Sequence, residues 1–226
     1  MSLIFMGAVQ ATQYTNVMNQ SNALADDVDY LSVTMNERWD GSNYAVDLLI
    51  ETLAALDNIA GSNYGIQAFG FNLPGIDDLS SRFGGGGDGK HHGKHGAHHN
   101  TGTTGSSFIT GLPSGWGIKE DSNMSEFGDF DIRVAGKGSS RTRQLSFTIN
   151  GVQMKDVDIY FFAAHVAGFN AIKQEGHHKD KITSAFFGND EPRIHAVPLP
   201  ASIWLFGAGL MGIVGVARRR QLSQAK

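Results

Sequence analysis

The chain has 226 residues, with 18 basic and 22 acidic side chains, a formal charge of −4 and no cysteine. Lacking thiols, it has no disulfide, no zinc–thiolate site, no cysteine nucleophile and no lipid attached to cysteine, so its fold depends on its apolar core. All 22 acidic residues precede Val197 while four of the 18 basic ones follow it, which leaves the earlier part with 14 basic residues and a formal charge of −8. That balance argues against nucleic acid as a partner, because binding through phosphates needs clustered positive charge.

Leu3, Ile4, Phe5, Met6 and Ala8 form a short apolar run that ends in Val9-Gln10-Ala11. Small residues at the −3 and −1 places are those of a leader cleavage site. Residues 1–11 therefore read as the end of a signal peptide whose start lies upstream, with the mature protein beginning near Thr12. A first β-strand is the alternative, since apolar runs of this length are also strands.

Residues 12–190 are long enough for one domain with a substantial core. Thr12 to Asp27 is polar and rich in Asn and Gln, a lead-in that reads as loop or one short helix around Ala23. Leu31, Val33 and Met35 then alternate with Ser32 and Thr34, the period-two pattern of a half-buried strand. Asp40-Gly41 supplies a turn, Tyr44, Val46, Leu48 and Ile50 a second strand, Asp57 to Asn63 another turn, and Ile66 to Leu73 a third strand. Residues 82–114 break the pattern, with glycine and histidine dominating and little to bury, as in a loop or insertion. Strands resume at Gly115 to Ile118, at Phe130, Ile132 and Val134, and at Leu145, Phe147 and Ile149. Gly136 to Ser140 and Asn150-Gly151 are the turns among them. Ile159 to Val166 is almost continuously apolar and reads as a central buried strand. Lys173 to Lys181 reads as a charged loop, Ser184 to Phe187 as the last strand, and residues 191–196 as a linker. Many short strands separated by turns point to an all-β protein, an antiparallel β-sandwich with jelly-roll-like connections.

Few residues signal chemistry. His91, His92, His95, His98 and His99 lie within nine positions of a glycine-rich stretch, where neutral imidazoles suit Zn, Ni or Cu; a solvated spacer is the alternative. His177 and His178 form a smaller pair. Gly84 to Lys90 has phosphate-loop spacing but lacks the preceding strand, the following Ser or Thr and the helix start that the motif requires. His165 ends an apolar run and reads as a histidine satisfied by a neighbouring carbonyl rather than a base, since no nucleophile is signalled beside it. Asp129 with Asp131, and Asp156 with Asp158, are i, i+2 pairs that suit Ca or simply a solvated strand face. Trp39 and Trp116 are either sugar-stacking platforms or core. No nucleophile elbow or zinc-protease motif occurs. No enzymatic activity is expected.

The tail is the most specific stretch. Val197-Pro198-Leu199-Pro200 precedes seventeen uncharged residues, Ala201 to Ala217, and then Arg218, Arg219 and Arg220. As a helix that run spans roughly 25 Å, close to a thin hydrocarbon layer, so a single C-terminal transmembrane helix is expected. Gly207, Ala208, Gly209, Gly212 and Gly215 allow close helix contact, and the arginines stop transfer with residues 221–226 in the cytoplasm. A plain anchor is the simple reading.

A proline motif, an aromatic apolar helix containing Trp204, Leu205 and Phe206, and a terminal arginine cluster together resemble the PEP-CTERM sorting signal of exported proteins of Gram-negative bacteria. Leu199 stands where the motif's usual glutamate lies. The resemblance covers about thirty residues. It implies an exosortase as partner, transit through the inner membrane with the ectodomain in the periplasm, and delivery to the cell surface or an exopolysaccharide matrix. The order of blocks Ala68–Asn72, Phe127–Asp131, Leu145–Ile149, Phe161–Val166 and Ala185–Gly188 also resembles, more loosely, the β-rich ectodomains of such proteins. The expected function is thus that of a structural or interaction protein of the surface or biofilm matrix, the alternatives being a metal-binding surface protein or a glycan-binding module.

Overall fold

The computed structural model describes residues 13–39, 41–76, 79–83, 107–175 and 178–189, the side chains of residues 80 and 173–180 excepted. Contacts divide the chain into Met1–His195 and Ala196–Lys226, and every described residue belongs to the first unit.

Eleven strands form among the described residues: β1 (Gln13–Met18), β2 (Gln20–Ser21), β3 (Leu31–Trp39), β4 (Tyr44–Thr52), β5 (Gly65–Phe71), β6 (Ile109–Thr110), β7 (Trp116–Asn123), β8 (Asp129–Gly136), β9 (Gln144–Asn150), β10 (Phe162–Glu175) and β11 (His178–Gly188). They make a five-stranded sheet, ordered β1-β3-β4-β9-β6, and a six-stranded sheet, ordered β2-β11-β10-β5-β8-β7. Neighbouring strands pair antiparallel, as the alternating patterns and frequent turns imply. Leu31, Val33 and Met35 are buried while Ser32 and Thr34 are not, so period two in sequence becomes inside and outside in space.

The inner faces of both sheets meet in one core. Val33, Met35, Leu48, Ile50 and Phe147 of the first sheet join Phe69, Phe71, Ile132, Phe162 and Phe187 of the second, all buried. Phe69 is its aromatic centre, with ring centroids 5.6 Å from Phe162, 6.0 Å from Phe71 and 6.3 Å from Phe147 across the sandwich. A smaller cluster lies on the outer face of the six-stranded sheet, where Ala68 and Ala163 leave room for Met124 and Phe130. Glycine is required there: a side chain at Gly188 would enter the Phe127 ring.

Several expectations change. The lead-in after Thr12 contains no helix; residues 22–27, around Ala23, are loop as the alternative had it, but before them lie β1 and β2, an edge strand that leaves one sheet at Asn19 and joins the other. Polar strands of this kind carry no apolar alternation to read. The expected turn at Asp57 to Asn63 begins inside a helix, α1 (Ala54–Ala60), which buries Leu56 and Ala60 four residues apart and ends at Gly61 with φ of 79°. The charged stretch after Lys173 belongs to a hairpin, since β10 runs to Glu175 and β11 starts at His178. Gly168, with φ of 85°, sits where that pairing slips between Ala167 and Ala171. The central apolar strand starts at Phe162 rather than Ile159, and it lies between β11 and β5 as its composition suggests. A further short helix, α2, spans Leu79–Arg82. Among the described residues no helix is long and apolar enough to cross a membrane; the expected segment, Ala201 to Ala217, lies outside them.

With the core as the main stabilising feature, Phe69→Ala is expected to lower stability by about 3–5 kcal/mol, the usual loss for a buried phenylalanine. Trp39→Ala at an exposed strand end should change it by no more than about 0.5 kcal/mol. Denaturant unfolding of the full-length protein checks both; equal effects would contradict this packing.

Candidate functional site

The residues that the sequence marks most strongly, Val197 to Pro200, Arg218 to Arg220, and His91, His92, His95, His98 and His99, all lie outside the described residues. So do His177 and the side chain of His178. The other candidates can be placed.

Each aspartate of the two pairs has a local task. Asp129 Oδ1 accepts a hydrogen bond from Asn123 Nδ2 at 3.0 Å, and Asp131 Oδ2 accepts one from the Leu73 backbone N–H at 2.8 Å. Asp156 Oδ2 accepts from the Gln153 N–H at 2.9 Å, closing a reciprocal cap on the 3-10 turn Met154–Asp156. Asp158 Oδ1 accepts from the Tyr160 N–H at 3.0 Å. Three of these bonds, those to Asp131, Asp156 and Asp158, satisfy backbone donors in loops and turns, the role that Asp plays most readily. Among the described residues no three His, Cys, Asp or Glu side chains gather as a metal site.

Trp116 is buried in the core, whereas Trp39 is 42% exposed and lies against Tyr44 with ring centroids 4.7 Å apart. His165 sits on the outer face of the six-stranded sheet, opposite Ala68 on one side and Phe186 on the other. Among the described residues its ring has no hydrogen bond to a carbonyl; it has a stacked contact with Phe186, centroids 4.5 Å apart at 24°. Burial, and secondarily the neighbouring Arg133 cation, hold its pKa below the ordinary 6.5. Among the described residues Arg133 Nε is buried without a hydrogen-bond partner. A half-buried histidine beside a cation is a poor proton acceptor near neutrality, which disfavours a base at this position.

The feature with the form of a binding site is an open groove of about 590 Å³ at the end of the sandwich where β3 and β9 finish and β10 starts. Tyr14 of β1, Pro74 after β5, and Ile159 and Tyr160 before β10 form its apolar walls; Glu37 of β3, Lys155 and Asp158 bring charge. Glu37 is fixed by a hydrogen bond of 2.7 Å that its Oε2 accepts from the Met154 N–H. The last described residue lies beside this groove. Asn189 is buried, accepts a hydrogen bond from Phe162 N–H at 2.9 Å and donates one to the Tyr160 carbonyl. Sequence reasoning missed the groove because Tyr14 and Tyr160 are 146 positions apart and neither stands in a motif.

Residues 196–220 match the family model of the PEP-CTERM protein-sorting motif. No curated protein and no solved structure matches the chain. The chain thus carries the signal of an exosortase-sorted exported protein, held transiently in the membrane on its way to the surface.

The depressed pKa of His165 gives a directional prediction. Because the unfolded chain takes up this proton first, stability is fully present above about 6.5 and is lost as pH falls below that value toward the lower folded pKa. Thermal unfolding of the full-length protein between pH 7.5 and 5 should therefore show a shallower fall in the His165→Gln variant than in the wild type. Parallel curves would remove His165 from the pH response.

Proposed function

We propose that this chain is a non-enzymatic structural or interaction protein of the cell surface or extracellular matrix, its β-sandwich being the displayed part and its tail the part that an exosortase recognises. One observation carries the reading: the sorting motif at residues 196–220 follows a folded β domain whose last described residue is Asn189. Between that residue and the Val197-Pro198-Leu199-Pro200 motif lie only residues 190–196. Arg218, Arg219 and Arg220 act as the stop that leaves the C-terminus in the cytoplasm, because clustered arginine crosses a bilayer at high cost and favours the inner side. The periplasmic domain then reaches the exterior with its exopolysaccharide after cutting near the proline motif.

In an exosortase-bearing host, the extracellular form should be lighter than the membrane form by about 3 kDa, the size of a tail with one membrane-spanning helix. Replacing Pro198 and Pro200 should leave uncut protein in the membrane. Mass spectrometry decides it: intact chain retaining Trp204 to Arg220, found only in membranes, would reduce the tail to a plain anchor.

A second reading rests on the five histidines within nine residues, which supply enough imidazoles for a Zn, Ni or Cu ion. Replacing His91, His92, His95, His98 and His99 with Ser should abolish zinc binding in calorimetry at neutral pH, and wild-type binding should fade as pH falls through about 6.5, where free imidazole protonates. Retained binding in the variant would assign the metal elsewhere.

A further inference from the structure

The geometry points to the groove between Tyr14 and Tyr160 as a binding site for a glycan chain. Among the described residues the exposed large apolar side chains divide by chemistry. The aromatic ones, Trp39, Tyr44 and Tyr160, lie at the end where β3 finishes and β4 and β10 begin. The aliphatic ones, Ile59 and Ile172, border a separate hollow at the α1 end. Aromatic rings left at a protein surface next to fixed polar groups suit a ligand with one apolar face and many hydroxyls, and a sugar ring is such a ligand.

The groove provides both halves. Tyr160 is 47% exposed and Tyr14 half-buried, so each can offer ring surface to the C–H face of a sugar. Glu37 and Asp158 each use one carboxylate oxygen for a backbone N–H, at 2.7 and 3.0 Å, and neither second oxygen has a hydrogen bond among the described residues. Those bonds fix the carboxylates in advance, so little order has to be gained on binding. Lys155 adds an exposed donor for hydroxyl or ring oxygens. The volume of about 590 Å³ is that of a small-ligand cleft, and its open form admits a continuing chain. A purely apolar peptide would leave the two carboxylates desolvated and unpaired, and a phosphate polymer would meet them as like charges. This inference goes beyond the sorting reading and does not depend on it.

The test uses the full-length protein, tail uncut, in a sugar-free zwitterionic detergent. It is titrated with cellohexaose, laminarihexaose, maltohexaose and chitohexaose, and with a proline-rich peptide. At least one hexasaccharide should bind at about millimolar strength or better. Tyr160→Ala and Tyr14→Ala should each weaken it about tenfold or more, with circular dichroism unchanged. Tyr160→Phe, which keeps the ring, should bind as the wild type does. No hexasaccharide binding at about 10 mM, unchanged binding in both alanine variants, or capture of the proline-rich peptide alone would overturn the proposal.

Discussion

Close packing of phenylalanine rings between two antiparallel sheets is the constraint on which the described domain depends. No disulfide supports it, so the chain must exclude water by shape alone. Phe69, Phe71, Phe147 and Phe162 meet within about 6 Å of one another's centroids in the contacts seen, and Phe187 extends the layer toward Tyr30 at 4.9 Å. Fixing that layer fixes the register of each strand, because a slip by one residue would turn these rings to the outer face. Polar tasks are consequently confined to the ends and the outer surfaces.

The edge strand shows how this arrangement positions the groove. β1 belongs to one sheet and β2 to the other, so the chain closes one side of the sandwich as it crosses at Asn19. Asn19 N–H donates to the Gly188 carbonyl at 3.1 Å, and Asn16 Nδ2 donates to the Ile159 carbonyl at 3.1 Å. Both described ends of the domain are thereby tied to the segment 159–162. Tyr14 and Tyr160 line one groove because the buried Asn16 and Asn189 take the carbonyls of Ile159 and Tyr160, which holds β1 and the described end of the domain beside the segment before β10. The groove is a consequence of closing the sheet edges.

Much of the architecture could be read from the amino acids, for a physical reason in each case. Leu31, Val33 and Met35, or Leu145, Phe147 and Ile149, alternate because one face is wet, and the alternation is visible in the sequence. β1 was illegible because Gln13, Thr15 and Asn16 give no such contrast, its burial being supplied by partners remote in sequence. The helix at Ala54 was obscured by Asp57 and Asn58, which also favour turns, although Leu56 and Ala60 bury its inner face. The sorting signal was legible because it is a linear motif whose recognition needs neighbouring residues only. The groove was not, since its walls come from β1, β3 and the loops beside β5 and β10.

Sorting and folding make separate demands on this chain, and the residues that meet them are separate too. The final described hydrogen bonds are those of Asn189, which bind Phe162 and Tyr160. A signal whose loss destabilised its cargo would release protein prone to unfolding outside the cell, where no chaperone powered by ATP is at hand. The motif at residues 196–220 and the core residues, which run from Met18 to Phe187, do not overlap in sequence, so the tail can evolve for its protease and the aromatic core for the domain.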